Sequence, residues 1–289
     1  MKRREFLHKG LVAGGVFAAA ARQASGATRK HAFDTVSLGP DKVKLSRLAM
    51  GTGTSGFGGA SNQTRQLGVG GIADLYWFGH DNGVTFWDSA DQYGSHPHLK
   101  EALKNVQREK VAIMTKTHAR TADQMRKDLD RYRREIGTDY IDIVLLHAMR
   151  DGNWPEQRKG AMEVLSEARE KGIIRTHGTS CHSLAALKTA AATPWVRVDL
   201  ARINPLGEKM DSDPATVISI LKQMKRAGKG VIGMKILGEG VMRHRVSEAL
   251  AHALALDCVD CFTIGAENRT ELADLVQKIP EASLRGWPS

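Results

Sequence analysis

Eight short β-like runs recur along this chain, each followed by a longer segment with helical periodicity. The runs are Leu48–Gly51, Val84–Trp87, Val111–Thr115, Ile141–Leu146, Ile174–Gly178, Val198–Ile203, Val231–Met234 and Cys261–Ile264. The helical segments fall near 66–81, 97–106, 121–136, 155–171, 182–192, 213–227, 245–256 and 268–278. Thr121, Ser183 and Ser212/Asp213 before Pro214 are helix-opening side chains, and Gly137, Gly172 and Gly228 follow the helices they end. Strands alternating with helices build a parallel sheet covered by helices. Eight such units fit a closed (β/α)8 barrel, the TIM barrel, better than an open doubly wound sheet. An open sheet calls for a glycine-rich loop running straight into a helix after the first strand. Gly51-Thr52-Gly53-Thr54-Ser55-Gly56 approaches that spacing, but polar residues follow it, so it reads as a barrel loop. Ahead of the first run, Thr35 to Ser46 reads as a β-hairpin turning at Gly39-Pro40-Asp41-Lys42.

Charge and composition narrow the function classes. Hydrophobic residues make up 42% of the 289, ample for one core, and no uninterrupted apolar stretch is long enough to span a membrane. Of the formal +10, residues 1–27 supply +4, with Lys2, Arg3, Arg4, Lys9 and Arg22 against Glu5. In the rest, acidic and basic residues alternate along helix faces such as Arg120 to Glu135, a solvated pattern rather than a nucleic-acid footprint.

The N-terminus has a basic head, Lys2-Arg3-Arg4, then Phe6-Leu7 and an apolar stretch from Leu11 to Ala21 that ends in small residues. That is the plan of a signal peptide, with cleavage expected after Ala21 or Ala27. The paired arginines resemble the twin-arginine export signal of bacteria. Residues 1–27 are therefore expected to be a signal read by the twin-arginine machinery, and 28–289 an exported, periplasmic barrel with no membrane span after cleavage. That route carries folded proteins, so a cofactor bound before export can travel with the chain.

Cys258-Val259-Asp260-Cys261 has C-x-x-C spacing, but no second pair exists to complete a four-cysteine metal site. The two thiols are either a redox dithiol or small core residues.

In a barrel of this kind the site gathers at the C-terminal ends of the strands. Those positions hold Asp88, Lys116 and His147, and Tyr93 lies in the loop after Asp88. A lysine ammonium favours the phenolate of a nearby tyrosine and brings its pKa toward the working range. An aspartate would fix that lysine, and a histidine would orient a carbonyl. Such a set protonates an oxyanion as hydride reaches carbon, or runs the step in reverse.

These residues lie in segments that resemble the aldo/keto reductase superfamily. Phe86 to Gly94 is similar to its aspartate–tyrosine motif, Ala112 to Lys116 to its lysine strand, and Asp139 to His147 to its histidine strand. Lys171 to Ser180 is similar to the segment ending at its carboxamide-binding serine, and the resemblance covers residues 35–279. It implies NAD(P)H-dependent interconversion of a carbonyl and an alcohol, with Asp88, Tyr93, Lys116 and His147 as the catalytic tetrad. It also implies that Ser180 holds the nicotinamide carboxamide and that Gly265 and Ala266 lie near the adenosine phosphate. Asn268 and Arg269, at the following helix N-terminus, join them as contacts.

Several positions depart from the family pattern. Cys181-His182 follow Ser180 where asparagine is usual, Asp199 to Asn204 offers no glutamine, and Met234 stands at the aromatic stacking position. Glu267 replaces the expected basic residue, so NADP(H) loses a charge clamp and the cofactor is expected to be NADP(H) or NAD(H). The same departures admit a cofactor-binding sensor with little turnover. His96-Pro97-His98 suggests a metal-dependent hydrolase, but no second H-x-H pair accompanies it, so no metal ligand is assigned. His118, His177 and His182 are expected near the mouth, either shaping the substrate pocket or as solvated loop residues.

Overall fold

The computed structural model describes residues 28–287; the basic head and apolar stretch read as an export signal lie outside them. Eight parallel strands close a barrel in the order β10-β3-β4-β5-β6-β7-β8-β9. They are β3 (Leu48–Gly51), β4 (Phe86–Asp88), β5 (Ala112–Thr117), β6 (Ile141–Met149), β7 (Ile174–Cys181), β8 (Val198–Arg202), β9 (Gly230–Met234) and β10 (Cys261–Ile264). An antiparallel hairpin, β1 (Thr35–Leu38) and β2 (Val43–Ser46), precedes them and turns at the residues expected.

The helices are α1 (Asn62–Asp81), α2 (His96–Ala102), α3 (Ala122–Ile136), α4 (Trp154–Gln157), α5 (Lys159–Glu170), α6 (Leu184–Ala192), α7 (Pro214–Arg226), α8 (Val246–Ala255) and α9 (Arg269–Leu284). Thr121, Ser183 and Asp213 each accept a backbone N–H at the start of α3, α6 and α7, as capping chemistry requires. Three expectations need correction. The helix expected at 97–106 ends at Ala102 and continues as turns. The single helix expected at 155–171 is two, meeting at Arg158. The last helix runs on through Pro280 to Leu284, because Leu275, Ile279 and Ala282 continue its buried stripe.

Two apolar layers hold the barrel. Inside, Ala49, Phe86, Met114, Ile143, Leu145, Val198, Leu200, Ile232 and Cys261 fill the bore, with Leu38, Val43 and Leu45 of the hairpin. Outside, a larger layer lies between strands and helices, with Trp87, Tyr132, Leu146 and Trp154. Strands buried on both faces read as continuous apolar runs, which is why the sequence shows runs rather than alternation. Cys258 packs in the outer layer and Cys261 in the inner one, so the C-x-x-C pair is two free core thiols rather than a dithiol.

The hairpin is fastened at the end of the barrel where the strands begin. Asp41 accepts from Thr176 Oγ1 at 2.7 Å and from Arg197 Nη2 at 2.6 Å, with Arg169 at 3.4 Å. Burial pushes the Asp41 carboxyl up, but Arg197 and Thr176 outweigh it and hold the pKa below its ordinary value. A depressed folded-state pKa stabilises above the unfolded value near 4 and is lost as pH falls through the folded one. Asp41→Asn is therefore expected to cost about 3 kcal/mol at pH 7 in urea unfolding, with the gap to wild type closing below about pH 4.

Candidate active site

The inward-facing residues at the C-terminal strand ends form the mouth. Asp88 ends β4 and Lys116 lies on β5, and both are almost wholly buried. Lys116 Nζ donates to Asp88 Oδ1 at 2.5 Å and to the Ser89 carbonyl at 2.8 Å. The second Asp88 oxygen accepts from Thr263 Oγ1 of β10 at 2.8 Å. Burial disfavours the lysine's charge, but Asp88 and Tyr93 outweigh it and the ammonium's pKa stands above the usual lysine value.

Tyr93 sits in a short 3-10 turn after Asp88, its ring centroid 4.9 Å from Lys116 Nζ. The loop after β3 covers that ring at van der Waals range. A Cβ on Gly53 would fall 2.4 Å from Tyr93 Cζ, and one on Gly56 would fall 2.4 Å from Cδ1. The glycine-spaced segment that approached a phosphate fingerprint is thus the loop that packs on this tyrosine. Gln92 ties the loop down: its carbonyl accepts from Gly59 N at 2.9 Å, and its Nε2 donates to Gly56 O at 3.2 Å.

His147 lies on β6 where the ladder shifts register between Leu146 and Met149. The shift puts Ala148 at φ +56°, and Ala148 N donates to Ser180 Oγ at 2.9 Å. Bulges of this kind re-aim a side chain. The imidazole stands edge-on to Tyr93, centroids 5.7 Å apart, and stacks on His118 at 4.8 Å. Burial first, then the charge of Lys116 and the neighbouring histidines, hold its pKa well below the ordinary value, so it is neutral.

Tyr93 differs from the expectation in one respect. Burial raises the phenol's pKa more than Lys116 lowers it, so the net shift is upward and the proton stays on the tyrosine at neutral pH. That is the form a proton donor needs.

The structure brings Asp88, Tyr93, Lys116 and His147 to one mouth and places Ser180 on β7 beside them. Gly265, Ala266, Asn268 and Arg269 lie after β10, on the far side of the Gly51–Gly56 loop. Asn268 caps α9, its Oδ1 accepting from Glu271 N at 2.9 Å. The Glu271 carboxylate accepts from Glu267 N at 2.8 Å, so the helix N-terminus is already answered by an internal anion. Arg269 points toward α1, 4.0 Å from Asp74 and over the Phe78 ring. His177 is apart from the mouth, stacked on Trp195, and His182 follows β7 directly.

His96 and His98 do not form a metal pair. Both His96 nitrogens are engaged, by Glu135 at 2.8 Å and Thr115 at 2.7 Å, and His98 is buried without a partner on Nδ1. Asp91, His96 and Glu135 come close enough to hold an ion. Arg131 already pairs with both carboxylates, Asp91 at 2.7 and 2.8 Å and Glu135 at 3.2 Å, which makes the cluster an ion-pair network.

Sequence reasoning missed Thr263, the Gly53–Gly56 packing and the His118 stack. Thr263 occupies an inward position on a strand buried on both faces, where no polar alternation marks the inner side.

The family model described as "Aldo/keto reductase family" matches residues 49–279. "Probable aldo-keto reductase 1" of Glycine max is 28% identical over 171 residues, 54% of this chain and 47% of that protein. "Aldo-keto reductase AKR2E4" of Bombyx mori is 24% identical over 181 residues, 56% of this chain and 55% of that protein. The aligned part thus spans about half the length of these curated relatives. Among solved structures, aldo-keto reductase AKR11C1 from Bacillus halodurans in its holo form superposes with a TM-score of 0.69 at 16% identity, covering 89% of this chain and 92% of that one.

A methyl group at Gly53 has no room beside the Tyr93 ring, so Gly53→Ala is expected to lower the melting temperature and displace the phenol. Overpacking of this kind costs about 1–3 kcal/mol. Gly70→Ala, whose Cβ meets nothing inside α1, is expected to leave the melting temperature unchanged or slightly raised.

Proposed function

The chain belongs to the aldo/keto reductase family, and on that premise we propose that it interconverts a carbonyl and an alcohol, with Tyr93 as the proton donor. The observation that carries this reading is the buried Asp88–Lys116 pair lying against the Tyr93 ring. Aldo/keto reductases generally use NADPH or NADH, and a bound reduced nicotinamide supplies hydride to the carbonyl carbon.

Ser180 is the residue to hold the carboxamide. Its oxygen accepts from Ala148, which leaves its own hydroxyl proton to donate. At the other end Gly265, Ala266, Asn268 and Arg269 would hold the adenosine end. The carboxylates of Glu267 and Glu271 flank it, so a ribose 2′-hydroxyl is accommodated there more readily than a 2′-phosphate. The residues therefore fit a nicotinamide and favour NAD(H) over NADP(H).

Tyr93 gives its proton to the carbonyl oxygen as negative charge develops there. The Lys116 ammonium, fixed by Asp88 and Ser89, then stabilises the phenolate by on the order of 3 kcal/mol at an effective dielectric of about 20. Neutral His147 orients the carbonyl by hydrogen bonding without competing for the proton. The basic head and apolar stretch of residues 1–27 support export of the folded protein by the twin-arginine machinery, and a periplasmic location is part of the same proposal.

Tyr93→Phe is expected to reduce kcat/KM for aldehyde reduction about 100- to 10,000-fold while nicotinamide affinity, read by fluorescence quenching, stays within about twofold. A variant that retains full turnover overturns the assignment. The protonated phenol is the active form for reduction, so kcat/KM should stay flat from about pH 6 to 9 and fall only above about pH 10. His147 titrates below that range and should leave no inflection near neutral pH.

A further inference from the structure

Tyr93 and Lys116 are each bracketed by side chains that the proton transfer does not use. Asp91 opens the turn that carries Tyr93, and His96 begins α2 just beyond it. On β5, Ala112 and Met114 point into the bore, so alternation turns Lys116 inward and Thr115 and Thr117 outward. All four flanking side chains end on one network outside the barrel.

At its centre is the Arg131 guanidinium of α3. Its two terminal nitrogens hold both oxygens of Asp91, at 2.7 and 2.8 Å. Nη2 also reaches Asp128 at 3.0 Å, and the other Asp128 oxygen accepts from Thr117 Oγ1 at 3.0 Å. Nη1 also reaches Glu135 at 3.2 Å. Glu135 meets His96 Nδ1 at 2.8 Å, and His96 Nε2 meets Thr115 Oγ1 at 2.7 Å. Buried Tyr132 packs against both cationic and imidazole members: the guanidinium carbon and the His96 ring each lie 4.8 Å from its ring centroid.

We propose that Arg131 is a positioning residue, which through this network fixes the separation between the Tyr93 phenol and the Lys116 ammonium. The proposal rests on the carbonyl-reductase reading and adds the device that holds its proton donor in place.

The turn needs such a hold. It spans only Asp91–Tyr93, its N-cap Ala90 makes no side-chain cap, and Gly94 leaves it in the left-handed region. A bidentate guanidinium fork fixes a carboxylate in orientation as well as in distance. Burial works against the charge on Asp91, but Arg131 outweighs it and holds the carboxyl below its ordinary pKa, so the pair persists at neutral pH. The separation matters because the counter-charge acts through it. At an effective dielectric of about 20, opening two charges from about 4 to about 6 Å weakens their mutual stabilisation about tenfold.

The test measures single-turnover oxidation of bound NADH by the most reactive of a panel of aldehydes, in wild type, Arg131→Met, Tyr93→Phe and the double variant. Arg131→Met is expected to slow the chemical step about tenfold or more, with NADH affinity and the half-saturating aldehyde concentration within about twofold of wild type. In the Tyr93→Phe background the same substitution should cost less than about twofold, because the group it acts through is gone. No loss in wild type, or equal losses in both backgrounds, overturns the proposal. If circular dichroism shows Arg131→Met unfolded, Arg131→Lys, which keeps the charge and loses the fork, takes its place in every comparison.

Fluorotyrosine labelling gives a readout that needs no turnover. The chain has four tyrosines, and the Tyr93 fluorine resonance is the one missing from Tyr93→Phe. Arg131→Met should move or broaden it, whereas Arg126→Met, which removes an exposed ion pair from the same helix, should leave it in place. An unmoved Tyr93 resonance overturns the proposal. A resonance that moves in a protein that reduces no aldehyde leaves the positioning network standing while the carbonyl reading fails.

Discussion

The ion pair between Lys116 and Asp88 sets what the mouth of this barrel can be. Two charges removed from water cost several kcal/mol each unless every remaining donor and acceptor is met. Here Ser89 O accepts a second hydrogen bond from the ammonium and Thr263 donates to the second carboxylate oxygen. The pair spans β4, β5 and β10 and so braces the strands that carry it. Removing one partner leaves a buried charge, which makes the arrangement costly to lose. A tyrosine beside such a lysine has a fixed counter-charge within reach of its anion.

The rest of the site serves that tyrosine by sterics. The loop after β3 can lie on the ring only because Gly53 and Gly56 lack side chains. The bulge in β6 turns His147 toward the same ring, and Ser180 secures the left-handed Ala148 that the bulge requires. At the opposite end of the barrel the hairpin and Asp41 close the bore. Stability and chemistry are thus separated along the barrel axis, as the fold favours.

Much of this was legible in the sequence. Eight apolar runs with capped helices between them specified the barrel, and the strand-end positions of Asp88, Lys116 and His147 followed from it. The hairpin turn and the caps at Thr121, Ser183 and Asp213 came from local backbone chemistry, which needs no tertiary information. What escaped detection depends on contacts distant in the chain. Thr263 is 175 residues from Asp88. The role of Gly53 is visible only once the ring it covers is in place. The direction of the Tyr93 pKa shift was missed for the same reason: the sequence shows that a lysine is near but not how far the phenol is desolvated. The last helix was expected to end near 278, while the buried stripe through Ala282 carries it on past Pro280.

Under the proposed function the mouth transfers a proton to a carbonyl as hydride arrives, rather than holding a cofactor as a sensor does. The most direct measurement is a single turnover. The protein is loaded with one equivalent of reduced nicotinamide, mixed with a panel of acidic and neutral aldehydes, and followed by the near-ultraviolet absorbance of the reduced cofactor. A proton-donating Tyr93 should give stoichiometric loss of that absorbance with at least one aldehyde, with alcohol formed in equal amount. Bound cofactor that stays reduced with every aldehyde would contradict it and leave a sensor in its place.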